Sequence, residues 1–226
     1  MTLYPVMLNL ENRHVLVVGG GTVATRKVKG LMETGARIRV VSPEFSPEIQ
    51  SLVKDGKIEG ARRDFSSRDL EGVTLAFAAT DDPSLNDTIS EMAMSNGIPV
   101  NNITRPETCT FFVPSRIRRG DLILAISTSG RSPAMARWLR ETLENQIGPE
   151  FGDLTRWMGI LREFLLSNGY TNPEIKGVSE YVLHHDILQP LRSNDHEAMA
   201  RILTEAFRKT LNTSPPEPLL AALGLQ

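Results

Sequence analysis

Three consecutive glycines lie between an apolar stretch and a helix-forming stretch near the start of the chain, in Val15-Leu16-Val17-Val18-Gly19-Gly20-Gly21-Thr22-Val23-Ala24. The spacing Gly19-x-Gly21-x-x-Ala24 matches a fingerprint in which glycines allow a tight turn and close approach to a diphosphate, while a small residue packs helix against strand. The N terminus of the following helix attracts phosphate. The pattern predicts cofactor-binding residues Gly19, Gly21, Thr22 and Val23. A tight turn without a ligand is the alternative.

Cofactor choice depends on an acidic residue, which in dinucleotide sites follows the glycines by about 20 positions and binds the ribose. Here the second apolar run ends in Ser42, and Glu44 follows two residues later. A carboxylate at Glu44 binds ribose hydroxyls and repels a 2′-phosphate, which favours NAD over NADP; an ordinary surface glutamate is the alternative. The predicted cofactor set is completed by Pro43, Thr80 and Asp81.

Five arginines stand out in a chain whose formal net charge is -2, and they are Arg105, Arg116, Arg118, Arg119 and Arg131. Guanidinium groups bind carboxylates in fixed geometry, so an acidic substrate would fit this group. A solvated turn with interface salt bridges is the alternative. The run from Ser127 to Pro133 places hydroxyls before a predicted helix, where they bind an anion or cap the helix.

Composition excludes several classes of function. Cys109 is the single cysteine, which excludes an internal disulfide and a cysteine-cluster metal site. Adjacent histidines at 184 and 185 point apart on a helix, so we predict no metal site there. The charge gives no general attraction to nucleic acid or membrane. No apolar run reaches the roughly 20 residues of a membrane helix, and the N terminus lacks signal-peptide features, so we expect a cytoplasmic protein.

Strand and helix patterns alternate through the first half of the chain. Apolar runs predict strands at 15–18, 37–42, 73–79 and 98–101, with a short edge strand at 6–10. Helices between them have start signals such as Ser46-Pro47 and Asp82-Pro83. This order predicts an α/β fold, a Rossmann-type doubly wound parallel sheet, with ligands at the carboxyl ends of its strands.

The second half follows a different pattern. Apolar runs at 111–114 and 122–126 flank the basic segment 116–121 and predict a pair of strands around a basic turn. A long helix is predicted from Pro133 to about Gln146, and Gly148-Pro149 ends it. The rest is helical and polar in pattern, with a disorder-prone tail predicted at 212–218.

Together these motifs resemble the precorrin-2 dehydrogenase and sirohydrochlorin ferrochelatase family, which includes the N-terminal portion of siroheme synthase. The resemblance covers nearly the whole chain, and it depends on the order and spacing of several short motifs rather than on any one of them. The matching segments are Tyr4-Pro5, the run from Val17 to Lys27, Ala78-Ala79-Thr80-Asp81-Asp82, Phe112-Val113-Pro114-Ser115 and the run from Ser127 to Pro133.

The resemblance implies an NAD-binding domain at 1–113, a dimerisation segment at 114–148 and a small helical domain at 149–226. It implies a homodimer that oxidises precorrin-2 to sirohydrochlorin with NAD, in siroheme biosynthesis. The substrate is a tetrapyrrole with eight carboxylates, which gives the arginines a role, and Arg105, Arg116 and Arg131 are the candidate substrate-binding residues. Some members also insert ferrous iron.

The chain departs from the family pattern at one position. The family has an aspartate in the loop after the fourth predicted strand, regarded as acid/base for both reactions, and this chain has Thr104. A threonine hydroxyl ionises too weakly for that role, and loss of a general base costs about 10² to 10⁴ in rate. We expect iron insertion to suffer more than hydride transfer. The other polar position of the family is Thr128, with Ser127 adjacent, and either hydroxyl could contact the substrate.

The departure leaves two alternatives to a dehydrogenase. A non-catalytic sensor of dinucleotide or tetrapyrrole would keep the fold without an acid/base. A chelatase that does not use NAD is the other reading. Asp81, Glu107 or an ordered water could replace the missing aspartate.

Overall fold

A computed structural model describes residues 2–225, which form two compact units. The first unit comprises residues 3–113, and the second begins at Pro114. The division of the chain into three domains at 113 and 148 stays a prediction. Within residues 2–225 the structure has no helix that is long and apolar enough to cross a membrane.

The first unit is built on a five-stranded parallel sheet with strand order β3-β2-β1-β4-β5. α-Helices connect successive strands except between β3 and β4, where the connection contains a short 3-10 helix (Ser67–Leu70). The predicted fold class, a doubly wound parallel sheet, is confirmed. Its elements are β1 (His14–Val18), α1 (Thr22–Met32), β2 (Arg37–Val41), α2 (Pro47–Lys54), β3 (Glu59–Ala61), β4 (Leu75–Ala78), α3 (Pro83–Ser95) and β5 (Val100–Asn102).

Strand β1 is buried on both faces, because alternate residues of a strand point to opposite sides of the sheet. Val15 and Val17 pack in one apolar cluster with residues of α1 and α2, such as Val28 and Ile49. Leu16 and Val18 pack in a second cluster with α3 residues. A nearly continuous apolar run is therefore what a central parallel strand needs.

One prediction about the sheet edges is wrong, and one edge strand was missed. Residues 6–10 form no strand, and Val6, Met7 and Leu8 are exposed. The edge beside β2 is taken by β3, which sequence periodicity missed because it has only three residues. Gly60 in β3 is packed tightly, since a Cβ there would lie 2.6 Å from Val53 Cγ2.

The second unit begins with an antiparallel hairpin of β6 (Ser115–Arg119) and β7 (Leu122–Ile126). The prediction placed the first strand at 111–114 and the arginines in the turn, and this is wrong. The basic segment is itself a strand in which residues alternate, with Ile117 buried between two arginines. Helix α4 (Pro133–Glu144) follows, and Ser132 caps it by accepting a hydrogen bond from the Met135 N–H.

Five helices complete the second unit around an apolar core that includes Leu161, Leu203 and Phe207. The segment 212–218 was expected to be disorder-prone, but it leads directly into the last helix. Leu219 in that helix is fully buried, because it fills the helical core. The five are α5 (Glu150–Ser167), α6 (Asn172–His184), α7 (Leu188–Ser193), α8 (His196–Leu211) and α9 (Glu217–Ala222).

Candidate functional site

The glycine turn after β1 is the point where three backbone segments meet. Gly19 has φ of +122°, and a Cβ there would lie 2.1 Å from the Ala79 carbonyl oxygen after β4. A Cβ on Gly20 would lie 1.8 Å from the Glu44 carbonyl oxygen after β2. Both positions exclude a side chain because of backbone crowding, which explains two of the three glycines without reference to a ligand.

Gly21 has a different environment. It is the N-cap of α1 at φ -83° and ψ -167°, and no side chain of residues 2–225 caps the helix there. A Cβ at Gly21 would meet no described atom within 4 Å. The first N–H groups of a helix have no partner within the helix. The N terminus of α1 therefore offers backbone donors and the positive end of the helix dipole beside open space.

A cavity of about 400 Å³ lies at this turn, at the carboxyl ends of β1, β2 and β4. A diphosphate needs backbone donors without a covering side chain, so the open N terminus fits a dinucleotide here. Val23 does not line this cavity, although it was grouped with the same residues. The predicted cofactor residues that do line it are Gly19, Gly21, Thr22, Pro43, Glu44, Thr80 and Asp81.

One wall of the cavity comes from a loop that the sequence reasoning missed. Asp64 and Phe65 line the cavity. An ion pair between Arg63 and Asp69 stabilises this loop. Asp69 is 2 % exposed and accepts two hydrogen bonds from Arg63, at 2.8 and 2.6 Å. Arg63, chiefly by hydrogen bonding, holds the pKa of Asp69 below its ordinary value, despite the opposing effect of burial. Arg63 and Asp69 are six residues apart, a spacing that matches neither a helical nor a strand period, so the sequence did not predict their contact.

A fully buried amide, Asn86 of α3, joins the ends of two strands. Its Oδ1 accepts from the Thr80 N–H at 3.0 Å, and its Nδ2 donates to the Thr80 carbonyl at 2.9 Å. The same Nδ2 lies 3.4 Å from Thr104 Oγ1. Thr80 is thereby fixed at the cavity, and Thr104 in the loop after β5 is connected to it. The only sequence signal was a polar residue near the apolar face of α3.

Thr104 makes hydrogen bonds within its own loop. Its Oγ1 donates to Asn102 Oδ1 at 2.7 Å. Asn102 Oδ1 also accepts hydrogen bonds from the backbone N–H groups of Thr104 and Arg105. Arg105 forms an ion pair with Asp87 at 3.1 Å. Two of the predicted site residues are thus engaged in local structure, and their predicted roles stay predictions.

A second cavity of about 310 Å³ lies beside this loop in the first unit. Val23, Arg26 and Lys27 of α1 line one side. Asn101 and Asn102 line it from β5. Residues 101–103 therefore line this second cavity and not the first one.

The remaining predicted residues belong to the second unit. Thr128 Oγ1 accepts from the Ser132 N–H and donates to the Ser132 carbonyl, both at 3.1 Å, and Ser127 Oγ accepts from the Ser129 N–H. These hydroxyls therefore form hydrogen bonds that stabilise the loop itself. The structure thus places Arg105 in one unit and Arg116 and Arg131 in the other.

Two further groups singled out in the sequence have local contacts. Arg119 Nε donates to the Ile147 carbonyl at 2.9 Å, which gives that arginine a structural contact. His185 Nδ1 lies 2.7 Å from the Tyr181 carbonyl oxygen. Across residues 2–225 no group of three or more His, Cys, Asp or Glu could hold a metal ion.

Comparison with known proteins gives results for both units. A family model described as "Putative NAD(P)-binding" matches residues 6–115, and one described as "Sirohaem biosynthesis protein central" matches residues 119–146. A siroheme synthase of Methylobacillus flagellatus is 36% identical over 207 residues, covering 92% of this chain and 44% of that protein. A siroheme synthase of Nitrosomonas eutropha is 40% identical over 226 residues, covering 100% of this chain and 47% of that protein.

Among solved structures, "SirC, precorrin-2 dehydrogenase" matches with a TM-score of 0.75 at 27% identity, covering 93% of this chain and all of that one. The fold and the glycine-turn cavity define a Rossmann-type nucleotide-binding domain followed by a helical unit. The comparisons thus relate the chain to siroheme synthases and to a precorrin-2 dehydrogenase. It spans less than half the length of the two siroheme synthases described above.

Proposed function

We propose that this chain is a precorrin-2 dehydrogenase that uses NAD to form sirohydrochlorin, a step of siroheme biosynthesis. The observation that carries the proposal is the open N terminus of α1, where Gly21 leaves space beside uncapped backbone donors. The similarity to an NAD(P)-binding family model, to siroheme synthases and to a precorrin-2 dehydrogenase supports a dinucleotide as the ligand of those donors and a tetrapyrrole as the second reactant. NAD, when bound, accepts a hydride from the reduced macrocycle.

The residues of the first cavity divide the binding of NAD between them. Backbone N–H groups at the N terminus of α1, beginning with that of Thr22, hold the diphosphate. Glu44 accepts from the ribose hydroxyls and repels a 2′-phosphate, which gives a preference for NAD over NADP. Asn86 keeps Thr80 in place at the opposite wall through three hydrogen bonds.

Proton transfer in the reaction needs no ionised group at Thr104. The Thr104 hydroxyl donates to Asn102 Oδ1 and so stabilises the loop. The proton that the substrate loses is therefore accepted by water and not by Thr104. Iron insertion requires removal of two protons from ring nitrogens, and we propose that this activity is weak. The substrate carboxylates bind Arg105, Arg116 and Arg131, and Thr128 or Ser127 contacts the macrocycle.

A turnover assay tests the proposal. Purified protein is incubated with precorrin-2 and NAD, and both NADH and the sirohydrochlorin spectrum are followed. We expect both to appear together, and NADP to be used less well. Absence of turnover under conditions in which a known dehydrogenase of the family works would reject the proposal.

A second candidate is a sensor that binds NAD or tetrapyrrole without converting either, and the loop-bound hydroxyl of Thr104 favours it. Calorimetry that shows tight binding of NAD or sirohydrochlorin, with no turnover of precorrin-2, would support the sensor. Thr104→Asp separates the two readings further. It should raise iron insertion if only the acid/base is missing, and unchanged insertion would contradict that account.

We also propose a cytoplasmic homodimer formed through the segment 114–148. Trp138 and Met135 on α4 are 60% and 51% exposed, and both lie within the region matched by the sirohaem central model. Trp138→Asp should therefore lower the dimer fraction measured by sedimentation, whereas a substitution at exposed Tyr4 should not.

A further inference from the structure

Lys27 lines the second cavity and has no acidic partner among residues 2–225. Its Nζ donates to the neutral Asn101 Oδ1 at 3.1 Å and lies 5.3 Å from the centroid of the Phe77 ring. Burial lowers the pKa of Lys27 from its ordinary value, and nearby Arg26 lowers it further. A lowered pKa of a lysine means that the folded chain disfavours the charged form.

The neighbours of Lys27 do not neutralise its charge. Among residues 2–225, neither Lys27 nor Arg26 has a carboxylate within ion-pairing distance. Cys109 lines the same cavity, but burial raises the pKa of its thiol, which therefore stays neutral. Exposed Arg26 and half-buried Lys27 thus line one cavity with no carboxylate partner among residues 2–225, and the partial burial of Lys27 without a counter-charge costs folding free energy.

Asn101 holds the lysine in this position. Its Nδ2 donates to the Phe111 carbonyl at 3.1 Å and contacts the Cys109 sulfur at 3.5 Å. These two contacts orient the amide so that its oxygen faces Lys27. An ammonium group has three donors, and Asn101 uses one of them, which leaves donors for a ligand in the cavity.

We propose that the second cavity binds one carboxylate of the tetrapyrrole substrate, with Lys27 Nζ as its anchor and Arg26 as a second cation. The inference rests on the proposed function, since that reaction supplies a substrate with eight carboxylates. The cavity lies beside the loop after β5, at the sheet edge where ligands bind in open α/β folds. A bound carboxylate supplies the missing counter-charge and satisfies the remaining donors.

Binding of sirohydrochlorin, the product and itself a polycarboxylate, tests the proposal without catalysis. The macrocycle is titrated by absorbance into the wild-type chain, Lys27→Met and Lys29→Met at fixed ionic strength. Lys29 is the matched control, because it lies on the same helix and its Nζ pairs with Glu48 at 2.6 Å. Both variants remove one positive charge from α1.

We expect Lys27→Met to weaken sirohydrochlorin binding on the order of tenfold or more, the value of a charge-assisted hydrogen bond, and Lys29→Met to change it less than twofold. The melting temperature of Lys27→Met should equal or exceed that of the wild type, because methionine keeps the apolar contacts and removes the half-buried charge. NAD affinity should be the same in all three proteins.

Several results would overturn the inference. If Lys27→Met binds the macrocycle as well as the wild type does, the cavity holds no substrate carboxylate. If Lys27→Met weakens NAD binding instead, the cavity serves the cofactor. A lower melting temperature would make Lys27 a structural support. Failure of the wild-type chain to bind the macrocycle at all would reject the proposed function, and the inference with it.

Discussion

The glycine turn at 19–21 and the hydroxyl loop at 127–132 both lead into a helix, yet they leave the helix N terminus in different states. Before α1 the cap is Gly21, and no side chain of the described residues satisfies the first N–H groups. Before α4 the cap is Ser132, whose oxygen accepts from the Met135 N–H. Thr128 in turn accepts from the Ser132 N–H.

This difference shows why the presence of hydroxyls is a poor guide to an anion site. Serine and threonine oxygens can satisfy the backbone donors that a phosphate would otherwise bind. Glycine leaves these donors open because it has no side chain. The glycine turn is therefore the region prepared for an external anion, and the hydroxyl loop is satisfied by its own side chains.

Gly20→Ala should have the largest effect on the glycine turn. The new Cβ would lie 1.8 Å from the Glu44 carbonyl oxygen, so the backbone after β2 has to move. We expect a loss of about 3 kcal/mol in the free energy of unfolding, measured by denaturant titration, together with loss of NAD binding. A variant as stable as the wild type would show that the three segments do not meet as described.

Gly21→Ala separates stability from binding at the same turn. Its Cβ has open space and an ordinary φ, so the free energy of unfolding should change by less than about 1 kcal/mol. NAD affinity measured by calorimetry should fall on the order of tenfold or more, because the methyl group enters the space proposed for the diphosphate. Unchanged NAD affinity would contradict the placement of the cofactor.

Asp69→Asn tests the wall of the first cavity through pH. Since Arg63 lowers the pKa of Asp69 in the folded state, the contribution of this carboxylate is present above its unfolded pKa of about 3.9 and is lost as pH falls through the lower folded value. At neutral pH we expect a loss of about 1–2 kcal/mol, reduced by the half-exposed Arg63. The difference from wild type, measured by thermal unfolding, should shrink below about pH 4. An equal difference at all pH values would argue against the ion pair.

Ser132→Ala should have the smallest effect and should be confined to the hydroxyl loop. Loss of an N-cap oxygen costs about 1 kcal/mol, measured by denaturant titration. NAD affinity should not change, in contrast to Gly21→Ala at the other helix. A fall in NAD affinity would show that the difference between the two loops is not the one described.

Much of the first unit could be predicted from sequence, because its signals are local. The apolar run of β1, the Ser46-Pro47 and Asp82-Pro83 helix starts and the glycine spacing all act over a few residues. Short or irregular elements were missed, since β3 has three residues and the arginines of β6 resembled a turn. The start of the last helix was missed because Leu219 is buried in a core that includes residues distant in sequence.

The candidate site divides in the same way. The sequence by itself determined the glycine turn, because backbone sterics restrict Gly19 and Gly20 to one residue type. It also indicated the resemblance to siroheme synthases, through the order and spacing of several short motifs. Only the tertiary structure decided that Asn86 joins Thr80 to Thr104 and that the hydroxyls of Thr128 and Ser132 satisfy their own loop. It also decided that Lys27 has no carboxylate partner within residues 2–225. Hydrogen-bond partners and desolvation depend on which segments pack together, and no spacing along the chain encodes them.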